Sequence, residues 1–160
     1  ANGEIPADAS SMNTGIVKYN RIQLIDGNNS PIERVNYMAD LHFNMVINSE
    51  SSLKDVIIDL RINTRDGVEL VHTMNKYGNA DKQPLAQGLN QISCSIQNQL
   101  QPGNYSVTIG VHESNGVTLD FVENILDFSV MNIGEGENSG FTYDFKLGHV
   151  HFNSKWKVDN

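Results

Sequence analysis

Leu100-Gln101-Pro102-Gly103-Asn104-Tyr105, running into Ser106-Val107-Thr108-Ile109-Gly110-Val111-His112-Glu113, is the stretch that decides the fold. Pro102 presets φ for a turn and Gly103 tolerates φ > 0, so Pro-Gly makes a sharp reversal. Tyr105, Val107, Ile109 and Val111 then alternate with Ser106, Thr108, Gly110 and His112. That period of two is the mark of a half-buried strand. A Tyr just after a corner, at the start of a central strand, is a recurring device of antiparallel sandwiches: the ring packs inward and the hydroxyl bonds nearby backbone. The rest of the chain is read as layers around this strand.

Working outward, the same alternation returns on both sides. Strands are expected at Gly15–Ile25, Ala39–Asn48, Val56–Asn63, Val68–Met74 and Leu89–Gln97, and after the centre at Val117–Phe121 and Asn124–Val130. Turn signals separate them: Asp26-Gly27-Asn28-Asn29-Ser30-Pro31, Arg65-Asp66-Gly67 and Ser114-Asn115-Gly116. Ile32–Tyr37 reads as a short connection, and 75–88 as a long polar loop of the kind that often carries function. A final strand is expected at Val150–Val158, with Val150, Phe152, Trp156 and Val158 on its apolar side. It follows a Gly-rich connector at Ile133–Gly140. Residues 1–14 have no apolar period and are expected to be a linker or mobile arm, leaving one domain over 15–158. No segment has a useful helical period. The fold class is all-β, an antiparallel β-sandwich with immunoglobulin-like or jelly-roll topology.

Composition excludes several functions. The chain of 160 residues has 19 acidic against 11 basic groups, a formal charge of -8, which argues against nucleic acid or an anionic membrane as partner. No apolar run approaches the roughly 20 residues of a membrane span. The single Cys94 excludes an internal disulfide and reads as a small buried hydrophobe. No phosphate loop, nucleophile elbow or zinc-protease motif is present. His149-x-His151 could begin a metal site but lacks partners at ligand spacing. Asp59, Asp120 and Asp127 could supply a carboxylate pair for glycoside hydrolysis, although exposed Asp on strands is ordinary. No enzyme and no cofactor are expected.

A binding face is better supported. In an immunoglobulin-like order the strands at 56–63, 68–74, 105–113 and 117–121 share a sheet. Their outward residues Asp59, Arg61, Asn63, Thr108, His112, Thr118 and Asp120 would then converge, with Tyr77 at the rim and His72 able to face either way. Planar polar groups that match hydroxyl pairs, with a ring for a C–H face, suit a sugar.

The ordered residues also resemble a family. They are Gly15-Ile16-Val17 leading to Ile22-Gln23-Leu24-Ile25-Asp26-Gly27, then Arg65-Asp66-Gly67-Val68, Thr73-Met74-Asn75 and Gly88-Leu89-Asn90. Leu100-Gln101-Pro102-Gly103-Asn104-Tyr105 and Asp127-Phe128-Ser129-Val130 follow, with a late Gly148 and Trp156. This set resembles the C-terminal domain of the nucleotide-binding subunit of O-antigen polysaccharide ABC transporters, the Wzt type. The chain departs from the family's Thr-Asn-Thr-like run at His72-Thr73-Met74-Asn75. The resemblance implies a cytoplasmic, non-catalytic carbohydrate-binding domain, peripheral to the inner membrane through the transporter. It would recognise the non-reducing end of a lipid-linked O-antigen polysaccharide and couple it to export in lipopolysaccharide biosynthesis. An upstream ATPase domain, the transporter membrane subunit and a homodimer with C-terminal strand exchange are the implied partners. The alternative is a structural or adhesive sandwich making protein contacts.

Overall fold

In the computed structural model, which describes residues 3–131 and 148–159, two sheets face each other across one apolar core. The strands are β1 (Met12–Asn13), β2 (Val17–Ile25), β3 (Arg34–Asn36), β4 (Leu41–Ser49), β5 (Val56–Thr64), β6 (Glu69–Met74), β7 (Gly88–Ile96), β8 (Gly103–Glu113) and β9 (Thr118–Met131). One sheet has the order β1-β9-β8-β5-β6, with β3 added parallel to β9, and the other is β2-β4-β7. The remaining strand pairings are antiparallel. No helix occurs among the described residues. The all-β sandwich is therefore observed, and the four strands expected to share a face do so in the order β6-β5-β8-β9.

The central strand sits where its sequence puts it. Tyr105, Val107, Ile109 and Val111 are buried, and the Tyr105 hydroxyl donates to the Gln101 carbonyl four residues back, closing the Pro-Gly corner. Its ring lies 5.7 Å from Phe128, which meets Phe43 of the facing sheet edge-on at 6.2 Å. Tyr19 crosses the core from β2, and its hydroxyl donates to the Gly110 carbonyl at 2.6 Å. These rings tie the two sheets together through the buried middle.

Three expectations are corrected. Residues 32–37 are not only a connection, because β3 pairs in parallel with Ser129–Met131. The two expected strands at 117–121 and 124–130 are one strand, β9, with Asn124 at φ 49° absorbing a bulge opposite Thr108. The expected arm is docked over residues 3–14: Ile5 is buried and its N–H donates to the Asn20 carbonyl, Met12–Asn13 pair with Asp120–Phe121, and the Ser11 N–H donates to the Phe121 carbonyl. The cause is the pair of sheet edges at β2 and β9, whose open backbone groups the arm satisfies.

The expected connector at 133–140 lies outside the described residues. The expected strand at 150–158 is present only as its first contact, in which Val150 bridges Leu100 and the 149–151 backbone bonds residues 99 and 101. Beyond it, Phe152, Trp156 and Val158 are 75%, 90% and 82% exposed.

Candidate functional site

The outer face of β6-β5-β8-β9 is built by register. Asp59 stands opposite Gly110 and Met74, Arg61 opposite Thr108 and His72, and Asn63 opposite Ser106. Gly110 carries no side chain, and the Asp59 carboxylate fills the space above it: a Cβ there would lie 2.3 Å from Asp59 Oδ1 and 3.2 Å from the Phe121 ring. Asp59 is thus buried on the outward side of the sheet, where an ion needs partners. It has them. Arg61 Nε and Nη2 donate to Asp59 Oδ2 at 3.3 and 3.2 Å, and His72 Nε2 lies 3.0 Å from the same oxygen. The guanidinium also reaches Glu69 at 3.4 Å and sits over the Phe121 ring, 5.3 Å from its centroid. A cation on an aromatic face, pinned by two carboxylates, is a fixed donor fork. His72 therefore faces outward, beside Arg61.

The expected residues separate into two groups. Arg61, Asn63, His72 and His112 are half-buried on this face, and Tyr77 stands 62% exposed in the loop after β6. His112 lies opposite Ile57, four residues along β5 from Arg61, so it marks the other end of the face. Asp59, Thr108 and Asp120 are buried. Thr108 Oγ1 accepts from the Asn124 N–H at 3.0 Å and from Asn63 Nδ2 at 3.3 Å, so the β9 bulge covers it.

Asp120 does not face outward. The register slips between Val111 and His112, so Thr118 pairs with His112 while Asp120 pairs with core-facing Val111. Leu119 is the extra residue, and one extra residue exchanges the faces of all that follow. The inward carboxylate accepts from the Tyr19 N–H at 2.8 Å, from Ser10 Oγ at 2.6 Å and from Asn13 Nδ2 at 2.9 Å. It joins β2, β9 and the docked arm. Period-two reading cannot find a bulge; the sequence hint was a charged residue between Leu119 and Phe121, in a strand too apolar to leave it wholly in water.

Burial pushes the Tyr19 phenol well above its ordinary value, and the Asp59 and Asp120 charges push it further. A raised phenol contributes stability that is complete below about pH 10, the unfolded value, and is lost as pH climbs toward the folded one. Denaturant midpoints measured across that range should fall with pH. In Tyr19→Phe the fall should be shallower; an equally steep decline would assign it elsewhere. The Tyr105 phenol, also raised by burial, accounts for a residual slope.

The second sheet turns a different surface outward. Arg21, Val46 and Gln91 form one cross-strand row, and Gln23, Asn44 and Ser93 the next. They line a depression of about 360 Å³. Among the described residues no group of three His, Cys, Asp or Glu side chains is placed to hold a metal ion, and His151 packs edge-on against Tyr37.

With this geometry in hand, comparison with known proteins gives the following. The family model described as the Wzt C-terminal domain matches residues 8–143. A crystal structure of the C-terminal domain of Wzt superposes with a TM-score of 0.79 at 17% identity, covering 99% of this chain and 92% of that one. A Niemann-Pick type C2 protein from Japanese carpenter ant aligns with a TM-score of 0.51 at 10% identity, covering 75% of this chain and 98% of that one. At such identities the two structures speak to fold alone. No curated protein sequence matches the chain. The family match spans most of the sandwich, docked strand β1 included, and on that ground the chain belongs to the Wzt C-terminal domain family, with a role in an O-antigen ABC transporter.

Proposed function

We propose that this domain is a non-catalytic module that holds the non-reducing end of a lipid-linked O-antigen polysaccharide and couples that recognition to export. The observation that carries the reading is the fixed Arg61–His72 pair on an outward sheet face, within the family just identified. A guanidinium fork matches a vicinal pair of sugar oxygens, His72 and Asn63 add donors and acceptors beside it, and exposed Tyr77 offers a ring to a C–H face. Asp59 supports Arg61 and His72 from beneath. His112 extends the face for a second sugar residue. Work at this site sets the domain in the cytoplasm, peripheral to the inner membrane, with an ATPase domain upstream and the membrane subunit as partner.

Truncating a hydrogen-bonding group in such a site costs about 1–3 kcal/mol. Arg61→Ala and His112→Ala should each weaken binding of the cognate polysaccharide about five- to 150-fold, at 1.4 kcal/mol per decade. Calorimetric titration measures this, with a thermal melt as the control for folding. Wild-type affinity in both variants would remove this face from the proposal.

The same proposal includes a homodimer with exchanged C-terminal strands. Phe152, Trp156 and Val158 share one parity and are exposed, while the inward side chains Ile92, Cys94 and Ile96 of edge strand β7 are only half-buried. An apolar cavity of about 340 Å³ opens there, lined by Leu41, Ile62, Leu70, Val71, Ile96 and Val150 among others. A partner's strand would cover both defects. Light scattering should give twice the 17.8 kDa chain mass; a monodisperse monomer at micromolar concentration would rule the exchange out.

A further inference from the structure

Charge is divided between the two sheets. Strands β2, β4 and β7 contain no Asp or Glu in a chain with 19 acidic residues, yet they carry Lys18, Arg21 and His42. The other sheet holds Asp59, Glu69, Glu113, Asp120, Glu123 and Asp127. Parity sends all three basic groups of the small sheet to its outer side: Lys18 pairs with Asn48, Arg21 with Val46, and Ile25 with His42. Between them stand the amides of Gln23, Asn44 and Gln91 and the hydroxyl of Ser93. His42 Nδ1 lies 2.9 Å from Ser95 Oγ at the far end.

The surface is shaped as well as charged. The depression of about 360 Å³ at Arg21, Gln23, Asn44 and Ser93 shares Arg21, Val46 and Gln91 with a second of about 650 Å³ toward Lys18 and Leu89. Both volumes fall in the range of ligand sites, about 300–1,000 Å³. One carboxylate, Glu4, lines the second depression, its backbone bridged to Arg21, so the first depression, at Gln23, Asn44 and Ser93, is the part of the face lined by no acid. Lys18 Nζ donates to the Ala7 carbonyl, which holds its charge at the edge of the groove.

We propose that the outer face of β2-β4-β7 is a second saccharide surface, and that it takes an anionic stretch of the glycan, one bearing a carboxylate or a phosphate ester. Charge complementarity chooses the occupant: a sheet without acids in a chain of formal charge -8 repels anions least and holds them best. The amides and hydroxyls between the cations favour sugar over a polyphosphate backbone, which needs a denser run of Lys and Arg. The inference rests on the reading that the domain binds polysaccharide, and adds that the two sheets hold different parts of one chain: the end at Arg61, an acidic stretch at Arg21.

The test is amide chemical-shift mapping on the isotope-labelled chain with four probes: trigalacturonate, mannotriose 6-phosphate, and neutral galactotriose and mannotriose. The anionic probes should shift amides of residues 18–23, 42–48 and 91–95, the neutral ones should not, and salt at about 1 M, where the Debye length is about 3 Å, should erase the shifts. A response to trigalacturonate alone names the carboxylate, and to the phosphate probe alone the ester. Arg21 and Gln91 are exposed, so Arg21→Ala and Gln91→Ala leave the core intact. Arg21→Ala should weaken anionic binding about ten- to 100-fold, the worth of a charged hydrogen bond. Shifts confined to the Arg61–His112 face would overturn this inference and leave the proposed function standing. Anionic shifts on the small sheet, with none at Arg61 even for the cognate polysaccharide, would do the reverse. Neutral and anionic probes shifting the small sheet equally would also overturn it.

Discussion

Tyr105→Ala is expected to lower the unfolding free energy by about 3–5 kcal/mol, the usual cost of deleting a buried aromatic side chain. Two losses combine. The ring leaves a void against Phe128, at 5.7 Å, in a core whose sheets meet through Phe43 and Phe128. The hydroxyl no longer ties the strand to the Gln101 carbonyl, so the corner that starts β8 is loosened. Since β8 lies between β5 and β9, the damage reaches the middle of the larger sheet. Tyr105→Phe keeps the ring and should cost only about 0.5–1.5 kcal/mol, the net worth of one hydrogen bond. Denaturant melts of the two variants separate packing from tethering. Equal, small losses in both would deny the corner its place at the centre of the fold.

Asp120→Ala should be nearly as damaging, at about 3 kcal/mol, because a hydrogen bond to a charged group is worth about 1.5–3 kcal/mol and this carboxylate accepts three. The Tyr19 N–H would be left buried without its acceptor, while Ser10 and Asn13 lose the anchor of the docked arm. The arm gives a second readout. Limited proteolysis should cut 3–14 readily in the variant and slowly in the parent. Were Asp120 an exposed ligand-binding carboxylate, as period-two reading suggests, its removal would leave both melt and cleavage unchanged.

Much of this fold was legible from side-chain alternation. Tyr105 to Val111 announces a central strand, and Pro102-Gly103 and Asp66-Gly67 mark reversals that fix its neighbours, so the β6-β5-β8-β9 face follows. The rest depends on facts alternation does not carry. Arg34–Asn36 is too short and too polar to read as a strand, and it forms only because β9 offers an edge. The extra residue Leu119 turns Asp120 inward without changing the local composition. The arm at 3–14 lacks an apolar period because its bonds are mostly backbone, with Ile5 alone buried. Of the candidate site, Arg61, Asn63, His112 and Tyr77 reach the surface as expected, and His72, whose direction alternation left open, joins them; Asp59 and Thr108 lie on the right side but beneath their neighbours. The acid-free strands were visible in the residues throughout, but their meaning needed the pairing of β2, β4 and β7 into one sheet.

The most direct test of glycan-end recognition is a calorimetric titration of the chain with pairs of O-polysaccharides identical except at the non-reducing terminal residue. Selective binding should be seen to one member of a pair and lost in Arg61→Ala, whose melt, lowered because buried Asp59 loses a partner, still shows one cooperative unfolding transition above the titration temperature. Equal affinity for both members, or binding indifferent to Arg61, would contradict the account.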